Sequence, residues 1–243
     1  MPTEQQWNDA YLYVTSLGGQ PGNSKKTKQG NVESFLATVI CVDLKDTTAV
    51  EEEVEKLADL GQRVALINGY ATELPTTVTT LANSIKGVSP NLQSAFLLDL
   101  KSMTLTFSAG GRTQNSGGNI SLGPDVITGT IDEMGFALYH EIGHAVWGVA
   151  REPKYSEIYK KLDPSSDPVA LKRGDMEYFA DAVAAQIQKL DGTAKEEVIA
   201  AAGALFKEVP EDEDHPVGTK RLRASNRAGT STGPSMSWGV HHS

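Results

Sequence analysis

Apolar positions along this 243-residue chain alternate between helical spacing and short continuous runs. Residues 7–17 carry apolar side chains at helical spacing and predict a short helix, followed by a Gly/Pro/Asn/Ser loop at 18–24. The run 35–44 is rich in β-branched residues and predicts a buried strand, with Cys41 as one of its small hydrophobes. Thr47 or Thr48 is placed to cap a helix reaching about residue 65. Its acids Glu51, Glu52 and Glu53 suit the first turns and read as a solvated face. Residues 75–85 predict a further helix that stops before Gly87. Residues 95–100 and 103–107 predict strands, 109–118 a Gly-rich connection without phosphate-loop spacing, and 119–122 a strand completing a hairpin.

The strongest pattern lies at 130–150. Thr130 and Glu133 have capping-box spacing, and Met134, Phe136, Leu138, Ile142, Ala145, Val146, Trp147 and Val149 make the helix apolar around most of its circumference. A helix of that kind is buried. Pro153 pushes Glu152 out of helical geometry and closes the element. Residues 175–190 are again helical in period and stop at Gly192. Thr193 and Glu196 repeat the capping-box spacing ahead of a helix to about 209, and 216–225 form a short helix with Pro216 at its first position. From 226 the chain is Gly, Ser, Thr and Pro, the composition of a mobile tail. The expectation is one α+β domain over 1–226 with a flexible tail at 227–243, a small mixed sheet packing on the 130–150 helix and its neighbours.

Composition adds exclusions. A hydrophobic fraction of 39% with 22% charged residues supplies an ordinary core. A net charge of −9 argues against a nucleic-acid partner, and Lys25, Lys26 and Lys28 are too few to reverse that. The start has neither a basic segment nor an apolar stretch behind it, and the longest apolar run, 35–42, is far below the roughly 18 residues of a membrane helix. The chain therefore reads as soluble and cytoplasmic, with no membrane partner. A single cysteine cannot form an internal disulfide, which fits a reducing compartment.

Candidate chemistry sits inside the 130–150 helix as His140-Glu141-Ile142-Gly143-His144. Helical residues four apart are rotated by about 400° and separated by about 6 Å, so both imidazoles leave one face and can reach one ion. Zn²⁺ accepts imidazole nitrogens at roughly 2.0–2.1 Å, and a catalytic zinc site uses three protein ligands. Glu141 projects beside such an ion, where a general base takes a proton from the attacking water. With only 5 histidines in the chain, coincidence is a poor explanation for a pair at this spacing in a buried helix. The best third ligand is in Glu177-Tyr178-Phe179-Ala180-Asp181. Glu177 and Asp181 are four apart and share a face, so one can bind metal while the other accepts the second ring N–H of a ligating histidine. Asp175 and Glu152 are the substitutes for Glu177, and His241 and His242 read as incidental.

His-Glu-x-x-His, with Glu-x-x-Ala-Asp beginning 33 residues after His144, resembles the gluzincin metallopeptidases. His215-Pro216 with Arg221-Leu222 further resembles the His-Pro and Arg-Ile pairs near the end of the HtpX and CAAX prenyl protease family. The resemblance covers about 118–222; the family's membrane spans are missing, and residues 1–100 match none of its motifs. It implies a zincin-like fold with His140, His144 and Glu177 as Zn²⁺ ligands, Glu141 as base and Asp181 behind the ligands. It also implies that His215 and Arg221 lie in the cleft, stabilising an oxyanion or orienting a carboxylate. Tyr155 and Tyr178 are alternative oxyanion donors. In zinc proteases an edge strand ahead of the active-site helix takes an extended substrate, which would be 120–122 here. The implied activity is a zinc-dependent endopeptidase acting on peptides or proteins. The alternatives are a dedicated regulatory protease that cuts one partner or itself, and a non-catalytic protein holding zinc within its fold. The last needs four ligands, usually rich in cysteine.

Overall fold

The computed structural model describes residues 1–18, 27–108, 113–116, 118–124, 126–127, 131–163 and 173–192, and the side chains of all of these except 131–133 and 173–175. The helices expected over 193–209 and 216–225, the tail, the Thr130/Glu133 cap, Asp175, His215 and Arg221 lie outside the described residues or side chains.

Helix α1 (Glu4–Ser16) starts earlier than its apolar spacing indicates, because Thr3 and Gln6 form a capping box. Helix α2 (Lys28–Phe35) runs on into a wider π turn (Leu36–Ile40), replacing the strand expected over 35–44. Val32 and Leu36 are four apart and fully buried, so this run packs on helical spacing, while the β-branched Val39 and Ile40 that suggested a strand stay 61% and 41% exposed. Cys41 ends the turn in the left-handed region (φ 66°), with the Val42 amide donating to the Leu36 carbonyl at 2.9 Å. It is exposed, contrary to the buried role expected of it.

The helices expected over 47–65 and 75–85 are one element, α3 (Thr47–Ser84), capped by the Asp46 carboxylate rather than by Thr47 or Thr48. Pro75 lies inside it. Proline removes one helical hydrogen bond. The buried stripe nevertheless continues through Val64, Ile67, Leu74, Val78 and Leu81, and apolar burial on both sides holds the helix together. The first half of α3 packs on α1 and α2 through Ala10, Val14, Val32, Leu36, Val54 and Leu57, and the second half enters the main core. Helix α4 (Pro90–Leu100) replaces the strand expected over 95–100: Ser89 caps it, Pro90 opens it, and Phe96 and Leu100 are buried four residues apart.

Strands β1 (Thr104–Phe107), β2 (Gln114–Ser116) and β3 (Asn119–Leu122) form a mixed sheet ordered β1-β3-β2. β1 pairs parallel to β3, and β2 antiparallel to it with Asn115 opposite Ile120. Residues 120–122 are thus central, paired on both sides, and not the edge strand expected from the sequence. The edges are β1 and β2, and the one tied to the helix of His140 and His144 is β2, inside the segment that reads as loop because three residues among glycines carry no period. Leu105, Ile120 and Leu122 join the main core with Phe136, Leu138 and Ile142 of α5 (Ile131–Ala150). Glu152 is extended (φ −61°, ψ 137°) ahead of a 3₁₀ turn (Pro153–Tyr155), as the proline requires. Helix α6 (Ser156–Leu162) and helix α7 (Arg173–Leu190) follow, and Gly192 has φ 85° just past the end of α7. The architecture is α+β, mostly helical with one small mixed sheet. No helix among the described residues is long and apolar enough to cross a membrane.

Candidate metal centre

The site is built where α5 and α7 touch. A Cβ added to Gly143 would lie 2.6 Å from the Ala180 carbonyl oxygen and 2.7 Å from its Cα, so the two backbones meet at a point only glycine allows. That contact sets one turn of each helix face to face. Glu177, one turn before Asp181 on α7, then lies opposite both imidazoles. Its Oε2 is 3.3 Å from His140 Nε2 and its Oε1 is 3.4 Å from His144 Nε2. One donor atom from each of His140, His144 and Glu177 lies within 4.8 Å of the other two. His140 and Glu177 are buried, and His144 is partly open.

Asp181 fixes which nitrogen of His140 is available. Its Oδ1 is 2.8 Å from His140 Nδ1, and Asp181 is fully buried. An ionised carboxylate only accepts, so Nδ1 carries the proton and Nε2 presents its lone pair towards Glu177. A ligating histidine needs this tautomer.

The three groups are spaced closely enough to share one cation. Donors 2.0–2.1 Å from a tetrahedral ion are about 3.3–3.4 Å apart, and each imidazole Nε2 stands at that distance from one Glu177 oxygen, His140 from Oε2 and His144 from Oε1. Two imidazoles and one carboxylate suit zinc by ligand type, as they do iron, nickel and copper. Among the described residues the group has three members.

Glu141, half-buried, follows His140 directly. Its backbone carbonyl accepts a hydrogen bond from Asn115 Nδ2 at 3.3 Å, which ties the edge strand β2 to the metal helix. No sequence signal singled out Asn115, since it stands among glycines and serines. Tyr155 is fully buried and donates its hydroxyl to Asp99 Oδ2 at 2.6 Å, so it does not serve as the oxyanion donor that the sequence offered. Burial, then this bond, pushes its hydroxyl pKa up, while the bonds from Tyr155 and Lys154 hold the Asp99 carboxyl below its ordinary value. Tyr178, half-buried beside Glu177, is the remaining tyrosine. Tyr139 donates to the Asp191 carboxylate, a second tie between α5 and the end of α7. Burial and that bond raise its pKa far above the tyrosine range, so it stays protonated and holds the tie. Glu152 is exposed and pairs with Lys154 at 3.1 Å, so it does not stand in for Glu177.

Asp181→Asn is expected to weaken zinc binding by about 10–100-fold, because the amide can donate to His140 Nδ1 and so reverse the tautomer. Competition against a chromogenic chelator measures this. An unchanged affinity would show that Asp181 does not orient the ligand.

No protein-family model, curated protein or solved structure matches this chain.

Proposed function

We propose that this chain is a zinc-dependent metallopeptidase of the gluzincin type with a zincin-like site. The observation that carries the reading is the position of Glu177, whose two oxygens stand at 3.3 and 3.4 Å from imidazoles on another helix, with Asp181 behind His140. Zn²⁺, when bound by His140, His144 and Glu177, supplies a Lewis acid and lowers the pKa of a water ligand to about 7.

The chain's own residues supply the remaining parts of the reaction. Asp181 holds the His140 ring in one tautomer and orientation. Glu141 takes the proton of the attacking water and delivers it to the leaving amine. His215, outside the described residues, or Tyr178 is the donor for the developing oxyanion, a contribution of about 3–4 kcal/mol where such donors have been removed. An extended substrate pairs with β2, the sheet edge that Asn115 fastens to α5.

Incubation with an unstructured polypeptide such as casein tests the reading. Cleavage is expected to stop on chelation and return with one equivalent of zinc. Cleavage that survives complete metal removal, or no cleavage of casein or of a peptide library by the zinc-loaded protein, would overturn it.

A further inference from the structure

One surface feature beyond the triad lies on the same face of α5. At 100° per residue, His140, His144, Trp147 and Arg151 fall within about 60° of one another around the helix axis. The Arg151 amide still bonds the Trp147 carbonyl at 3.0 Å, so Arg151 keeps the helical track one residue past the end of α5. It stands about 10 Å along the axis from His144. Its guanidinium carbon lies 4.6 Å from the centre of the half-buried Trp147 indole, while the side chain is exposed.

The charge environment distinguishes this arginine. The chain carries 31 acids against 22 bases, and Arg63, on α3, pairs with Asp59 at 3.0 Å. Arg151 has no carboxylate partner among the described residues, and the acid next to it, Glu152, is engaged by Lys154. The contact over the indole holds the guanidinium through its charge and occupies none of its donors with a carboxylate, so its N–H groups remain for an anion. Those donors match a carboxylate in bidentate geometry. The indole restricts the arginine's rotamers, so less freedom is lost when an anion docks.

The geometry points to Arg151, held by Trp147, as a recognition residue for a carboxylate on the substrate, an inference that rests on the peptidase reading above. Ten ångströms correspond to about three residues of extended chain, so the carboxylate sits about three residues from the scissile bond. It comes from an acidic side chain or from the substrate's own C-terminus.

The test uses matched peptides with Glu, Gln or Lys at the second to fourth positions on either side of one scissile bond, each with a free or amidated C-terminus. Specificity constants are measured for the zinc-loaded wild type and Arg151→Glu. Fluorescence anisotropy of the labelled peptides on the metal-free proteins reports binding independently of turnover. Wild type is expected to favour one Glu position, or the free C-terminus, by roughly tenfold over its neutral counterpart in both readouts. Arg151→Glu is expected to invert the Glu-to-Lys ratio, and Arg151→Lys to restore only part of it. Because the ratio is taken within one protein, a partly misfolded variant does not blur it. An identical ratio in wild type and Arg151→Glu, in cleavage and in binding, would overturn the assignment. A charge preference in anisotropy without cleavage of any peptide would keep the carboxylate subsite and retire the peptidase reading.

Discussion

Replacing Glu141 by Gln is expected to leave zinc bound and to lower kcat by about 10²–10⁴-fold, the range for removal of a positioned acid–base group. Glutamine has nearly the same volume and helix propensity, so α5 and the triad it carries are undisturbed. The backbone carbonyl of residue 141, which accepts from Asn115, is also retained. Only the capacity to take a proton is lost, because an amide does not accept one near neutral pH. Metal content by mass spectrometry together with kcat and KM on one peptide separates the outcomes. Wild-type turnover would remove Glu141 from the reaction, and loss of zinc would make it a ligand.

Gly143→Ala has the largest expected effect on the site itself. Alanine in place of glycine inside an exposed helix is worth about 1 kcal/mol in its favour. Here the new methyl would stand 2.6 Å and 2.7 Å from backbone atoms of Ala180, with the carbonyl carbon at 3.0 Å. Neither backbone can rotate away as a side chain could, so α5 and α7 must separate. Overpacking of this kind costs about 1–3 kcal/mol and outweighs the propensity gain. The separation required is several times the roughly 0.2 Å tolerance on zinc–ligand distances, so zinc affinity is expected to fall at least tenfold. Gly148→Ala on the same helix is the control. Its methyl meets nothing within 4 Å, and it is expected to hold stability or raise it while leaving zinc affinity unchanged. Denaturant unfolding and zinc competition on both variants check this, and equal zinc affinities would show that the Gly143–Ala180 contact does not set the donor spacing.

The faces that carry the candidate ligands were legible because a helical period converts spacing into direction. His140 and His144, like Glu177 and Asp181, are four apart within segments that show their helical period. What the spacing did not carry was the meeting of the two helices. Gly143 and Ala180 are unremarkable letters until their backbones are seen in contact. The same limit explains the strands expected at 35–44 and 95–100. Short apolar runs do not separate strand from buried helix, and the Ser89-Pro90 cap ahead of α4 was the signal that would have decided the second case. Pro75 suggested a boundary that the burial on either side of it overrides. Strand β2 was hidden among glycines, and with it the true sheet edge beside α5.

Calorimetric titration of zinc into metal-free protein tests the three-ligand site most directly, with Glu177→Ala run beside the wild type. One zinc per chain is expected for the wild type, with affinity lost in the variant because the only carboxylate facing both imidazoles among the described residues is gone. Zinc bound equally tightly by Glu177→Ala, or not at all by the wild type, would contradict a site shared by His140, His144 and Glu177.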